Sequence, residues 1–186
     1  CLSALGGHLL PATAQDKPER ARLPLAVGGQ AGFYYLPLTI AEQLGFFKAE
    51  GLDVVLRDFS AGALALQALQ DGSVDVVSGS YEHTIRQQLN GYVLRSVVLQ
   101  GRAPQIALGI LPRMLPQYES VRDLAGKRIG VSAPGSSTHS FARWILAREG
   151  LNPLGATYVS MASATAAMAA LRAGQIHALC HSDPII

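Results

Sequence analysis

Short apolar runs alternate along the chain with longer segments that carry apolar residues at helical spacing, and glycine or serine closes most of the runs. This alternation of predicted strands and helices is typical of α/β proteins. In the first half the pattern predicts strands at residues 23–29, 52–56, 74–78, 93–100 and 105–111, with helices in the first three intervals.

The second half repeats the pattern of the first. Strands are predicted at residues 128–132, 157–160 and 175–179 with helices between them, and ALRAGQIHAL at 170–179 matches ALQDGSVDVV at 68–77 in register. Two copies of one βαβαβ unit predict a two-lobed α/β protein, in which each lobe is a sheet flanked by helices. Chance similarity between generic βαβ sequences is the alternative.

A stretch with two prolines and no periodicity, residues 112–120, separates the two copies. We interpret it as a hinge or connector. The expected organisation is a leader at residues 1–22, a first lobe at 23–111, the hinge at 112–120 and a second lobe at 121–186.

A run of hydroxyl residues follows the first strand of the second copy, at the start of a predicted helix. Ser136, Ser137 and Thr138 lie where the first helical N–H groups have no partner within the helix, and helix N-termini attract anions. The pattern therefore indicates a site for an anion or polar ligand, with simple capping of the helix as the alternative. Further along this helix, Phe141 and Trp144 are expected to be core residues.

Ligands of open parallel sheets bind outside the carboxyl ends of the strands, where the next helices begin. In a two-lobed protein each lobe would supply one wall of a cleft between them. This rule selects loops of both copies, and the candidate ligand-binding residues are Phe33, Tyr34, Ser60, Gly79, Ser80, Tyr81, Ser136, Ser137, Thr138, His139 and Asp183.

Composition supports a folded globular protein and argues against a nucleic-acid partner. Of the 186 residues, 49% are hydrophobic and 15% are charged, which separates the chain from disordered proteins. The net charge is only +2 and the basic residues are scattered. The two cysteines, Cys1 and Cys180, form no CxxC pair, and Cys180 is expected to end a buried strand as a small hydrophobic residue.

The first residues, CLSALGGHLLPATAQ, are apolar and contain the A-x-A pattern Ala12-Thr13-Ala14. This pattern matches a signal-peptidase site and predicts the end of a secretory signal peptide. A lipid-anchored mature terminus at Cys1 is the second possibility. Elsewhere the sequence has no run of about 20 apolar residues, the length that a membrane-spanning helix requires. Together with the signal-peptide pattern, this predicts an exported protein.

Enzymatic sites find little support in the sequence, and neither a cofactor nor a metal is predicted. Ser137, His139 and Asp183 are the residue types of a hydrolytic triad, but the G-x-S-x-G motif is missing. No two of the five histidines are spaced four apart on a predicted helix, as in a helical zinc site.

Four segments together resemble a known family: YLPLTIAEQLGFFKAEGLDVVL, ALQDGSVDVVSGS, DLAGKRIGVSAPGSSTHSFARWILAREGL and ALRAGQIHALCHSDP. They are similar to the nitrate-, sulfonate- and taurine-type substrate-binding proteins of bacterial ABC importers, a group that also includes binders of thiamine-pyrimidine precursors. The resemblance implies a periplasmic binding protein of type II, which closes on a small ligand and delivers it to a permease in the inner membrane. By position, the family's ligand contacts map to residues 33–34, 79–80, 136–139 and 183.

Two departures from the family pattern matter. The family's chain returns after the second lobe to complete the first, whereas this sequence stops at Ile186, so a truncated chain with possible self-association through the first lobe is expected. The predicted wall loops also hold no arginine, which leaves sulfonate, nitrate, carboxylate and pyrimidine ligands open.

Two alternative functions remain. One is a pyrimidine-precursor synthase of the same fold, although the cysteine-rich motif and cofactor lysine of those enzymes are not found here. The other is the ligand-sensing module of a signalling protein, which would require sequence beyond this chain.

Overall fold

The structure of the protein is a computed structural model that describes residues 18–103 and 105–186. The predicted signal-peptidase site at 12–14 and the candidate anchor Cys1 lie outside these residues. No helix within the two described ranges is long and apolar enough to cross a membrane.

The first sheet contains three parallel strands in the order β2-β1-β3. Val, Leu and Ala supply most of its inward side chains, and glycines end the intervening helices. The strands are β1 (Arg22–Gly28), β2 (Asp53–Phe59) and β3 (Val76–Val77). The helices are α1 (Leu36–Gln43), α2 (Phe46–Ala49), α3 (Gly62–Gln70) and α4 (Glu82–Leu89).

The second sheet contains four strands in the order β4-β7-β5-β6. Strands β5, β6 and β7 are parallel, and β4 joins the edge of β7 in the antiparallel direction. The strands are β4 (Ile106–Ile110), β5 (Arg128–Val131), β6 (Thr157–Ser160) and β7 (Ala178–Ser182). The helices are α5 (Ser137–Arg148) and α6 (Ala164–Arg172).

The internal repeat predicted from sequence is visible in the backbone hydrogen bonds. The N–H of Ser73 donates to the carbonyl of Ala68 over 2.9 Å, and the N–H of Gln175 donates to that of Ala170 over the same distance. In each sheet the first strand is paired in parallel with the second and third strands of its unit. The two units therefore share their strand order and the turn from the last helix into the last strand.

Each sheet is packed against its helices by small or branched side chains. Ala26 of β1 packs with Ala65 and Ala68 of α3, which lets the helix lie close to the strand. In the second lobe Ile129 and Leu146 belong to the larger core, where Cys180 is fully buried as predicted. Burial raises the pKa of the Cys180 thiol to about 12, so the residue is an unreactive core side chain.

Two predicted strands near the middle of the chain differ from the structure. Residues 93–100 form no strand, and the side chains of Val93, Val97 and Val98 are about 80% exposed. Their β-branched pattern has no neighbouring strand with which to pair. Residues 106–110 do form a strand, β4, but it belongs to the sheet of the second lobe, whereas the sequence analysis assigned it to the first.

The buried face of α5 also differs from the prediction. Its buried residues are Thr138, Ala142 and Leu146, spaced four apart on one face. Trp144, predicted as core, is 53% exposed and stacks on Phe141 with ring centroids 5.7 Å apart. The small side chains allow the helix to approach the sheet, and the indole is left outside.

Candidate functional site

A cavity of about 450 Å³ lies between the two sheets. The first lobe contributes lining residues from the segments 28–35 and 58–62 together with Ser80. The second contributes lining residues from the segments 132–138 and 161–165 together with Ile106, the end of β7 and Ile185. These segments follow the carboxyl ends of the strands in both sheets. The loops selected by the strand-end rule therefore do meet around one cavity.

Three hydroxyl groups at the start of α5 form a closed hydrogen-bonded triangle. The Oγ of Ser132 lies 2.9 Å from that of Ser136 and 2.8 Å from Oγ1 of Thr138, and the latter two lie 2.9 Å apart. Thr138 Oγ1 also accepts the N–H of Ser132 over 3.0 Å, and Ser136 donates to the carbonyl of Ala133 over 2.7 Å. Most of the bonding capacity of this triangle is used internally.

Ser137 is the hydroxyl of this run that faces the other lobe. Its Oγ donates to the Oγ of Ser80 over 2.5 Å, and both side chains line the cavity. A serine hydroxyl has one donor and two acceptor positions. This cross-lobe pair therefore retains bonding capacity that a ligand could use.

The beginnings of α3, α5 and α6 all lie in the cavity wall. Ser163 caps α6 by accepting the N–H of Ala166 over 3.1 Å. The N-cap residues Ala61 and Ser136 make no such side-chain bond to α3 and α5. The first N–H groups of these two helices thus have no capping side chain, and their partial positive charge is directed at the cavity.

The loop after β1 is held by a carboxylate from β2. Asp58 Oδ1 accepts the N–H of Gly29 over 3.0 Å and that of Gln30 over 2.8 Å. Beyond this loop, Tyr34 and Tyr35 pack edge to face with ring centroids 5.2 Å apart. Burial raises the pKa of Tyr35 to about 12, so its hydroxyl stays protonated and the side chain is neutral in the wall.

The electrostatics of the cavity come mainly from the backbone. Neither lysine nor arginine is among its lining residues, and Asp58 is the carboxylate among them. His181 also lines the cavity, and its Nδ1 accepts the N–H of Ser182 over 2.9 Å. Burial lowers the pKa of His181, which favours the neutral ring at physiological pH.

The structure brings six of the predicted site residues into the cavity wall and places five elsewhere. The six lining residues are Tyr34, Ser60, Ser80, Ser136, Ser137 and Thr138. The five others are Phe33, Gly79, Tyr81, His139 and Asp183.

Three of these five residues, Phe33, Gly79 and Asp183, form hydrogen bonds that support the wall. The Gly79 carbonyl accepts the Tyr34 hydroxyl over 3.4 Å, and the Asp183 carbonyl accepts the N–H of Phe33 over 3.2 Å. Phe33 directs its side chain outward and is 56% exposed, and Tyr81 is 68% exposed. These residues lie in loops beside the cavity, but the direction of each side chain was not readable from the sequence.

His139 acts on the backbone of its own lobe. Its Nδ1 accepts the N–H of Gly135 over 3.0 Å, and its ring packs edge-on against Tyr158 at 4.6 Å. Burial and the charges of Arg143 and Arg86 lower the pKa of His139, which keeps Nδ1 an acceptor. Because Ser137 is bonded to Ser80 instead, the serine and histidine do not form a hydrolytic pair.

Comparison with known proteins identifies the family. A family model described as NMT1/THI5 like matches residues 32–182. The chain belongs to the NMT1/THI5-like family. The matched region includes all the lining residues of the cavity except Gly28, Gly29, Ala31 and Ile185.

Relatives of this NMT1/THI5-like protein include solute-binding proteins. A protein from Bordetella bronchiseptica has a solved structure at 48% identity and a TM-score of 0.85, covering 89% of this chain and 52% of that one. The alkanesulfonate-binding protein SsuA from Xanthomonas axonopodis, bound to MOPS, is 24% identical with a TM-score of 0.64, over 89% and 56% of the two chains. A Brucella abortus protein provisionally named a binding protein is 30% identical over 138 residues, which are 69% of this chain and 39% of its own length.

These similarities show the fold. The chain has the α/β fold of type II periplasmic binding proteins and is similar to ABC-type substrate-binding proteins. It spans about half, or less, of the length of the relatives it matches.

Two parts of the NMT1/THI5-like cavity were missed by sequence reasoning. One is Asp58, which lies within β2 and not in the loop after it. The other is the start of α6, including Ser163 and Thr165. The internal repeat contained the signal for the start of α6. Helix α3 begins at Gly62 and α6 at Ala164, at equivalent positions ahead of the matched segments 68–77 and 170–179.

Residues 18–103 and 105–186 contain no group of three or more His, Cys, Asp or Glu side chains that could hold a metal ion.

We expect the NMT1/THI5-like protein to lose stability below about pH 6.5, the ordinary pKa of histidine. His83 on α4 is 3% exposed, and neither ring nitrogen has a hydrogen-bond partner among the described residues. Burial lowers its pKa most; the charge of Glu82 opposes this, the charge of Arg86 lowers the pKa further, and the nearby Gly135 backbone raises it slightly. The unfolded chain therefore binds the proton first, so the stability is complete above pH 6.5 and is lost as pH falls through the lower folded-state pKa.

Thermal unfolding between pH 7.5 and 5 measures this effect in wild-type protein and in His83→Gln. The variant should show a shallower fall of the melting temperature with acid, whatever its melting temperature at pH 7.5. His177→Gln is the comparison, since His177 is less buried and its Nδ1 already accepts the N–H of Arg128. Equal slopes for His83→Gln and wild type would contradict the role of His83.

Proposed function

We propose that this protein is the extracytoplasmic solute-binding component of an ABC importer. The observation that carries the proposal is the convergence of helix N-termini from both lobes on one cavity between the sheets. A cavity whose walls belong to two lobes is suited to enclosing a ligand when the lobes close. Membership of the NMT1/THI5-like family and the similarity to ABC-type binding proteins support this function.

The ligand is a small organic metabolite with an acidic or strongly accepting group. A cavity of about 450 Å³ is within the range of small-molecule sites and is much larger than a nitrate ion needs. The accepting group lies at the starts of α3 and α5, where uncapped N–H groups donate to it together with the hydroxyl of Ser80, which itself accepts from Ser137. Sulfonates, carboxylates and pyrimidine-type rings meet this description.

Asp58 and the tyrosines restrict the rest of the ligand. A second anionic group near Asp58 would be repelled, because the walls hold no lysine or arginine to compensate. Tyr34 and Tyr35 offer apolar ring surface beside it. We infer a singly charged or neutral ligand with one apolar or aromatic portion.

The protein binds this ligand without converting it, and it functions in the periplasm together with a permease in the inner membrane. The lining residues include neither a lysine nor a cysteine, so nucleophilic cofactor chemistry has no anchor there. Export rests on the candidate signal-peptidase site at 12–14, with a lipid anchor at Cys1 as the other form of attachment.

Thermal-shift screening with ethanesulfonate, propionate, nitrate and simple pyrimidines tests the proposed function. We expect stabilisation by at least one organic compound and none by nitrate at the same concentration. Mass spectrometry of the recovered compound should find it unchanged. Turnover of any stabilising compound, or the lack of any stabilisation across sulfonates, carboxylates and pyrimidines, would contradict the proposal.

Ser137→Ala is expected to weaken binding of a compound found in this screen by about two- to tenfold, or about 0.5–1.5 kcal/mol. The change removes one donor of the Ser80–Ser137 pair and leaves the buried triangle of Ser132, Ser136 and Thr138 intact. Isothermal titration calorimetry gives the affinity. Ser160→Ala is the matched control, because its hydroxyl donates to the Ser132 carbonyl and does not line the cavity. Equal affinities of Ser137→Ala and wild type would remove this hydroxyl from the site.

A further inference from the structure

Arg86 connects the two lobes beside the cavity. It lies on α4 of the first lobe, and its Nη1 donates to the carbonyl of Gly135 over 2.5 Å. Its Nη2 donates to the Oγ of Ser140 on α5 over 2.5 Å. Both acceptors belong to the second lobe, so the planar guanidinium forms a two-point contact across the cleft.

The guanidinium forms these contacts without a carboxylate partner. The ion pair found in residues 18–103 and 105–186 joins Arg20 to Asp75 and does not include Arg86. Glu82, one turn before Arg86 on α4, makes no salt bridge with it in the described part of the chain. The hydrogen bonds of the Arg86 fork therefore all lead to the second lobe.

Both the N–H and the carbonyl of Gly135 form hydrogen bonds with side chains. Its N–H donates to His139 Nδ1 within the second lobe, while its carbonyl accepts Arg86 from the first. A φ of +80° at Gly135 turns the chain so that these two groups can point in different directions. The next residues, Ser136 and Ser137, carry the hydroxyls of the cavity wall. The orientation of this wall segment thus depends on a residue of the opposite lobe.

We propose that Arg86 is a positioning residue that holds the two lobes in the arrangement of this structure and fixes the turn before α5 in its ligand-facing orientation. The part concerning the turn rests on the proposed solute-binding function, whereas the part concerning the lobes does not. The Ser80–Ser137 hydrogen bond is a weaker, uncharged contact across the same cleft. Without Arg86, the hydrogen bonds between the lobes within residues 18–103 and 105–186 include that pair and the Phe33–Asp183 backbone bond.

Distances between spin labels on the two lobes test this proposal on the full chain without any ligand. Gln67 on α3 and Ala147 on α5 are exposed and can each be replaced by cysteine, with Cys1→Ser to avoid a third label. The buried Cys180 does not react. Electron–electron double resonance then gives the distribution of distances between the lobes.

We expect one dominant short distance in the doubly labelled parent protein. Arg86→Gln should add a population at longer distances, and Arg86→Lys should add a smaller one, because an ammonium group cannot reproduce the two-point contact. Arg95→Gln removes the same charge from an exposed position of the first lobe and should leave the distribution unchanged.

Unchanged distributions in both Arg86 variants would overturn the proposal. If Arg86→Gln does not fold, Ser140→Ala gives the second test, since it removes one acceptor of the fork and leaves the arginine in place. A longer distance with an unchanged melting temperature separates control of the lobes from general loss of stability. Suppose that the wild-type protein binds no compound in the ligand screen, but Arg86→Gln adds a population at longer distances between the labels. That result would contradict the proposed function and leave the proposal on Arg86 standing.

Discussion

Gly28→Ala is expected to lower the free energy of unfolding by about 1–3 kcal/mol. A Cβ atom at this position would lie 2.3 Å from the backbone nitrogen of Gly62, 2.5 Å from its Cα and 2.7 Å from the carbonyl carbon of Ala61. All three atoms are backbone, so no side chain can rotate away. The start of α3 would have to move away from the end of β1, which disturbs the packing of Ala26 against α3.

Chemical denaturation measures this change, with Gly155→Ala as the matched control. A Cβ at Gly155 meets no atom within 4 Å, so the same substitution there should leave stability nearly unchanged. Gly28 and Gly62 both line the cavity, and the displacement of α3 should therefore also weaken ligand binding. Equal stability of the two variants would mean that the contact between β1 and α3 is not as close as described.

Thr138→Val is expected to destabilise the fold by about 1–3 kcal/mol, because it leaves a buried donor without an acceptor. The hydroxyl of Thr138 accepts the N–H of Ser132 and lies within 2.9 Å of two serine hydroxyls. The side chain is only 7% exposed, so water cannot replace the lost partner. Valine matches the shape of threonine but provides no acceptor.

Thr138→Ser separates the hydroxyl from the methyl group and serves as the control. It keeps the acceptor for Ser132 and should retain most of the stability that Thr138→Val loses. Urea denaturation of the two variants gives the comparison. Greater loss in Thr138→Ser than in Thr138→Val would show that the methyl group, and not the hydroxyl, is what the site requires.

The different roles of neighbouring hydroxyls explain why the candidate site was only partly predictable. Ser136, Ser137 and Thr138 form one run in sequence, and all three line the cavity. Two of them are nearly fully buried and mainly stabilise the turn, whereas Ser137 reaches Ser80 in the other lobe. A rotation of about 100° per residue at the start of a helix sends successive side chains in different directions.

Exposure also depends on what lies beside an element, which a single sequence does not contain. Ala142 lies on the buried face of α5, where its small side chain allows closer packing than an indole would. Trp144 lies on another face of the helix and is exposed. The apolar residues 93–100 have strand-like composition but no partner strand. In both cases the local pattern was identified correctly as apolar, and the neighbouring element decided the outcome.

The sequence by itself determined the alternation of strands and helices, the repeated unit and the loops that surround the cavity. Local propensities and short-range turns encode these features, and glycines and small residues mark their ends. The tertiary structure alone decided that Asp58 holds the loop after β1, that β4 joins the second sheet and that Arg86 spans the lobes. Each of these contacts joins residues 28 or more positions apart, and their geometry depends on how the two sheets are packed and not on the residues between them.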